Sequence, residues 1–363
     1  MFKSQSGSTV IKIRLLIILV AGFSGVLFAQ QDDDSGSKPA KLFESEKTLE
    51  IKLTAPWPDL IRNERYQGTY PATLEYVNEN GQAVKLDLTV ERRGVKRQEA
   101  CEFPPIKLRF EKEEVKGTMF RGQKSVKMVT HCKRTRGYEQ YYILEMLAYR
   151  MYNLITDFSF RTRPLTVDYH NSENDSVEDD RFAFLIEDDS DVAKRNGLKK
   201  LDIDRVRPSW LEKTVTSEMT LFQYLIGNVD WSALSGPDPE ECCHNIKPIA
   251  KRPFEDGDLV YPIPYDFDSS GLVDAPYAAP PAGVRIRKVT QRLFRGICLQ
   301  NETLPAAREK FLANEAAIMA VLDSEPRLDD RESKQASRYL DDFFNVLKSD
   351  KYWQKKIIES CRK

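Results

Sequence analysis

Residues 224–232 read YLIGNVDWS, residues 242–249 read CCHNIKPI and residues 260–273 read VYPIPYDFDSSGLV. Polar groups stand at the edges of these apolar runs: Asp230, Asn245, and the pair Asp266 and Asp268. In an extended segment, residues two apart share a face. Asp266 and Asp268 are therefore expected on one side, with Phe267 turned into the core. Two or three carboxylates with an amide oxygen make a hard-oxygen set, which suits Mg²⁺ or Mn²⁺ and can also take Ca²⁺. Single Asp residues often serve only as caps or Asx-turns. Carboxylates beside an apolar strand are costly, however, unless a cation or hydrogen-bond donors compensate them.

Upstream of this stretch the pattern has period two. Leu49, Ile51 and Leu53 alternate with Glu50 and Lys52, which reads as a half-buried strand. Residues 72–77 and 83–90 are two more strands, joined through Asn80-Gly81, a hairpin signal. Residues 105–110, 126–130, 165–169 and 182–186 add four. Between them the period changes. Ile143, Met146, Leu147, Met151, Leu154 and Ile155 fall at helical spacing within residues 138–155. A helix over residues 218–226 is expected, with Ser217 as its N-cap and Gly227 ending it. Residues 305–322, 331–347 and 352–358 read as C-terminal helices. The fold class is α+β, a β-rich part holding one helix followed by a mainly helical part.

The chain has 363 residues and a formal net charge of −1, with no basic block, which speaks against nucleic acid. Residues 1–29 resemble an export signal: Lys3, Lys12 and Arg14 precede the apolar run from Leu15 to Phe28. Residues 30–46 are polar and read as a flexible linker, leaving 47–363 as the main domain. Six cysteines in an exported chain are expected to pair. Cys101 with Cys132 and Cys298 with Cys361 are the expected pairs. The Cys242-Cys243 tandem is left to a third partner or partly unpaired. With three histidines and neither CxxC nor HExxH spacing, a zinc site is not expected.

The order of elements, with the segments RRGVKRQEACEFPPIKLRF, KSVKMVTHC, FAFLIEDDSDV, GNVDWS, HNIKPI and PYDFDSSGLV, resembles the spore coat protein H (CotH) kinase-like family, and more distantly the HipA-like kinases. The resemblance covers about residues 88–273. It implies a two-lobed protein-kinase-like fold, with an N-lobe of about residues 47–187 and a C-lobe of about 188–363. It further implies binding of ATP with Mg²⁺ or Mn²⁺. Asp230 would then orient a substrate hydroxyl and accept its proton, and Asn245, Asp266 and Asp268 would hold metal. Lys127, or alternatively Lys107, would contact phosphate. Glu145, with Glu139 as the alternative, would pair with that lysine, and the segment ending at Glu187 would join the lobes around the adenine. The chain departs from the kinase pattern twice. Asp230 and Asn245 stand fifteen positions apart, and Gly94 is a lone glycine where a glycine-rich loop is usual, so Arg92, Arg93 or Lys96 would hold phosphate instead.

Three functions are compatible with this reading. The first is an exported, metal-dependent transfer of the ATP γ-phosphoryl group to a hydroxyl of an extracytoplasmic protein. The second is a non-catalytic binding or surface-structural protein with a structural divalent cation. The third is a glycan hydrolase using Asp230 and Asp266 as acid and base, for which Trp231 is the one sugar-binding hint.

Overall fold

The alternating runs form strands, and the strands close on themselves. The computed structural model describes residues 1, 38–62, 68–94, 96–174, 176–237 and 242–363; the expected leader, 1–29, lies outside these apart from residue 1. Strands β1 (Leu49–Ala55), β2 (Tyr70–Val77), β3 (Ala83–Arg92), β4 (Ile106–Phe110), β5 (Ser125–Val129), β6 (Thr162–Asn171) and β7 (Val177–Ile186) all stand where the period-two pattern predicts them. Their spatial order is β1-β2-β3-β4-β5-β7-β6. β6 runs parallel to β1 from Leu49↔Leu165 to Ala55↔Asn171, which shuts the barrel.

This corrects the expected architecture. The structure is not a two-lobed kinase fold. It is a closed seven-stranded mixed barrel, accompanied by a three-stranded sheet and helices, and one compact unit takes in Ser35–Lys363. The physical reason lies in β1 and β6. Each would leave a row of unpaired backbone donors and acceptors on a sheet edge, and pairing them removes both edges. An alternating pattern shows which face of a strand is buried. It does not show which edge finds which partner.

Alternation along β7 builds two cores from one strand. Ala183 and Leu185 fill the barrel with Leu53, Leu74, Leu108 and Met128. Phe182, Phe184 and Ile186 point outward and pack a second core around α3 (Glu139–Asn153). Helices α1 (Trp57–Arg62) and α2 (Lys96–Ala100) sit in barrel connections, and α4 (Asp189–Arg195) follows β7. The short β8 (Lys199–Lys200) then joins β9 (Ile246–Ala250) and β10 (Val260–Pro264) in the small sheet. Part of the expected linker is also ordered: Leu42 and Phe43 lie in a short 3₁₀ turn and are buried in the barrel core.

Helix α5 (Lys213–Ile226) starts earlier than expected, because the Glu212 carboxylate caps it by accepting from Val215 N–H at 2.6 Å. Ser217 lies a turn inside, buried, with its hydroxyl against Thr303 Oγ1 at 2.7 Å. The C-terminal helices are α6 (Leu304–Ala313), α7 (Glu315–Ala320), α8 (Asp330–Lys348) and α9 (Asp350–Trp353). The expected single helix over 305–322 is therefore split at Asn314. Three cysteine pairs stand at bonding distance: Cys101–Cys132, Cys298–Cys361 and the adjacent Cys242–Cys243. The tandem pairs with itself rather than with a third cysteine. Among the described residues, no helix is long and apolar enough to cross a membrane.

Candidate functional site

Backbone geometry gathers the polar residues of the 224–273 stretch. α5 ends on Gly227 with φ 64°, a left-handed conformation that turns the chain toward Asp230. A Cβ there would also collide with the Tyr339 hydroxyl. Asn228 Oδ1 accepts from Asp230 N–H at 2.9 Å, and Asn245 Nδ2 donates to the Asp230 carbonyl at 2.7 Å. β9 and β10 pair with Ile246 opposite Pro264, so Asn245 and Tyr265 meet just beyond the ladder, and Tyr265 N–H donates to the Asn245 carbonyl at 3.1 Å. Leu272 N–H donates to the Ile226 carbonyl, tying the segment after Asp268 back to α5. Asn245 (φ 52°) and Asp266 (φ 62°) are both left-handed, a conformation that Asn and Asp tolerate better than most residues. Phe267 is fully buried against Tyr149 and Phe222, as the alternation predicts. That burial contributes about 2–3 kcal/mol toward fixing the two flanking carboxylates.

The positive charge among these acids is an arginine. Arg97 on α2 is 5% exposed. Its Nε donates to Asp268 Oδ2 at 2.7 Å, and its Nη2 lies 2.7 Å from Glu145 Oε2 and 3.5 Å from Asp266 Oδ1. Burial works against the Asp268 carboxylate, but Arg97 and the Tyr277 hydroxyl, 2.8 Å away, outweigh it and hold this acid below its usual range. Glu145 loses the competition. Burial raises its carboxyl to about 7 despite Arg97. Asp266 is also raised, by desolvation and then by Asp268, although 41% of its side chain is exposed. Its backbone N–H is held by the Tyr149 hydroxyl at 2.8 Å.

A basic face adjoins the acids. The ammonium groups of Lys127 and Lys247 lie 5.3 and 4.9 Å from the centroid of the Tyr265 ring, which precedes Asp266. Arg93 interacts electrostatically with Lys127 on one side and with Asp266 and Glu145 on the other. Its Nε has no partner among the described residues. Burial first, then Arg93 and Lys247, lower the Lys127 ammonium to about 8.

The structure thus brings together Asp230, Asn245, Asp266, Asp268, Glu145 and Lys127, and sends Lys107, Glu187 and Glu139 elsewhere. Lys107 stands opposite Lys127 in the barrel ladder, but its ammonium reaches Glu91 at 3.4 Å. Glu187 is wholly buried and bound to Arg195. Glu145 meets Arg97 rather than a lysine, while Glu139, the other expected partner, binds Arg181 at 2.7 Å.

Sequence reading missed Arg97, Lys247 and His244. His244 Nε2 lies 2.7 Å from Asp230 Oδ1. Its place immediately before Asn245 was a usable signal. Arg97 gave none beyond the basic character of residues 92–98. The donor set fits a hard divalent cation in type, but among the described residues no three acidic, imidazole or thiol groups converge as a ready metal site. Arg97 is the cation paired with Glu145, Asp266 and Asp268. A cavity of about 980 Å³ lies at one barrel mouth, floored by Trp57, Phe103, His131 and Tyr169, and includes none of the acids above. No known protein-family model matches this chain, and no curated protein matches it.

Proposed function

We propose that this protein is a phosphotransferase that moves the γ-phosphoryl group of ATP to a hydroxyl of a protein outside the cytoplasm. The observation that carries the reading is the position of Arg93, which acts electrostatically both on Lys127, beside Lys247 at the Tyr265 ring, and on Asp266, with Asp230 acting on Asp266 in turn. Transfer of a phosphoryl group needs little covalent chemistry from the protein. It needs positioning and neutralisation of spread negative charge. The three cations would hold phosphate oxygens, Arg93 with the fork that suits them. Asp230, oriented by Asn228 and Asn245, would accept the acceptor's proton, and His244 gives that proton an onward partner. Asp266, Asp268 and Asn245 are the residues that would hold Mg²⁺ or Mn²⁺, and such an ion would neutralise charge on the phosphates. Arg97 must withdraw from Asp268 for that to happen.

The paired cysteines are compatible with an oxidising compartment. Export and the likeness to CotH-type kinases complete the proposal from the sequence alone. Arg97 itself favours a second reading. A guanidinium already neutralising Asp266 and Asp268 suits a non-catalytic binding or surface-structural protein, with any divalent ion, Ca²⁺ included, acting only on stability.

Thermal unfolding separates the two readings. ATP with Mg²⁺ or Mn²⁺ is expected to raise the melting temperature of the wild type, by about 2.7 kcal/mol of stabilisation at a hundredfold excess over Kd, and not that of Asp266→Ala. A shift with cation alone, indifferent to ATP, would establish the second reading. No shift with either would remove the phosphotransferase reading and leave Arg97 as the sole counter-charge of the acids.

A further inference from the structure

Next to Asp230 stands a pair of arginines that the proposed reaction leaves unused. The indole of Trp231 is 3% exposed and donates to the Asn228 carbonyl at 3.1 Å. Arg295 and Arg362 both lie over this ring, their guanidinium carbons 5.5 and 5.9 Å from its centroid. Arg295 also donates to the carbonyl of Val229, the residue before Asp230. Arg362 donates through Nε to the Arg295 carbonyl at 2.9 Å.

The arrangement is held by the chain's last turn. Cys298 pairs with Cys361, Cys298 N–H donates to the Arg362 carbonyl at 2.9 Å, and Arg362 N–H donates to the Gly296 carbonyl at 2.8 Å. Arg362 is thereby fastened on both sides beside Arg295.

One arginine is enough to cap a buried indole by a cation–π contact. Two are not explained by it, because like charges brought together oppose one another. Among the described residues, neither guanidinium has a carboxylate within ion-pair distance; the acid nearest in influence, Asp230, bonds His244 instead. Burial and then Arg362 lower the Arg295 guanidinium to about 10, with Asp230 acting against them. An oxyanion between the two forks would balance the pair, and planar guanidinium forks favour a bidentate carboxylate.

We infer that Arg295 and Arg362 form a carboxylate-binding site for the acceptor, so the favoured substrate carries Asp or Glu close to the hydroxyl presented to Asp230. The word acceptor rests on the phosphotransferase reading; the anion site does not. The Cys298–Cys361 bond holds half of this site in place, so reduction weakens it.

The test is calorimetric binding, without nucleotide, of the peptides Glu-Glu-Ser-Glu-Glu and Lys-Lys-Ser-Lys-Lys to the oxidised protein. The acidic peptide is expected to bind and the basic one not. Arg362→Gln, at an exposed position, and Arg295→Gln are each expected to weaken binding tenfold or more, whereas Lys116→Gln, an exposed cation on a barrel loop, leaves it unchanged. Binding of the acidic peptide that is unaltered in Arg362→Gln, or no binding at all, overturns the inference. Peptide binding without any ATP-dependent melting shift instead overturns the transfer reading and leaves the anion site standing.

Discussion

Among the described residues, two of the buried arginine–carboxylate groups, one around Arg195 and one around Arg97, are built differently. Glu187 and Arg195 satisfy one another completely. Arg195 Nε and Nη2 reach the two Glu187 oxygens at 3.1 and 3.3 Å, its other bonds go to the carbonyls of Asp157 and Ser159, and Arg161 N–H supplies a further donor to the carboxylate. Arg97 is shared instead among Glu145, Asp266 and Asp268, and both its Nη1 and Glu145 Oε1 lack a partner among the described residues. A closed knot of this kind fixes structure. An open one, with three acids on one cation, can exchange its cation or its protons. Residue types alone do not distinguish the two; counting satisfied atoms does.

The largest expected effect breaks the closed knot. Arg195→Ala leaves Glu187 buried and unpaired, and is expected to cost about 3–5 kcal/mol in denaturant unfolding, with no recovery on adding a divalent cation.

A smaller effect sharpens the open knot. Glu145 is raised from 4.5 to about 7, so between those values the folded state holds a proton that the unfolded state has lost. Stability therefore falls as pH rises through this window, by on the order of 3 kcal/mol. Glu145→Gln is expected to flatten that fall; an unchanged pH profile would mean that Glu145 does not carry it.

The smallest effect concerns the basic face. Lys127 is lowered from 10.5 to about 8, so between these values the folded state holds fewer protons and its own stability gains with pH. If Lys127 holds phosphate as proposed, ATP affinity measured by calorimetry is expected to move the other way, weakening above about pH 8 by up to tenfold per unit as the ammonium is lost. Lys127→Met should bind weakly at every pH and show no such slope.

How much of this was legible follows the range of each interaction. The strands, α3 and the left-handed Gly227 rest on local periodicity and turn chemistry, and the sequence shows them directly. The grouping of Asp230, Asn245, Asp266 and Asp268 was also readable, because all four flank apolar runs that must pack together. Barrel closure was not, since it depends on β1 meeting β6 more than a hundred positions away. Nor was the partner of Glu145. A lysine and an arginine in nearby barrel segments are equally plausible by sequence, and the short helix α2 decides in favour of Arg97. Glu187 reads as a hinge residue at the end of a strand, and only its contact with Arg195 shows it to be internal.

Arg97 is paired with Glu145, Asp266 and Asp268, and on the proposed function a divalent cation can take its place there. The most direct test of this exchange is thermal unfolding of Arg97→Gln as Mg²⁺ or Mn²⁺ is added, beside Arg195→Ala. Arg97→Gln is expected to melt below the wild type without cation and to be restored by millimolar cation, while Arg195→Ala is not. Failure of cation to restore Arg97→Gln, or equal recovery of both variants, would contradict the exchange.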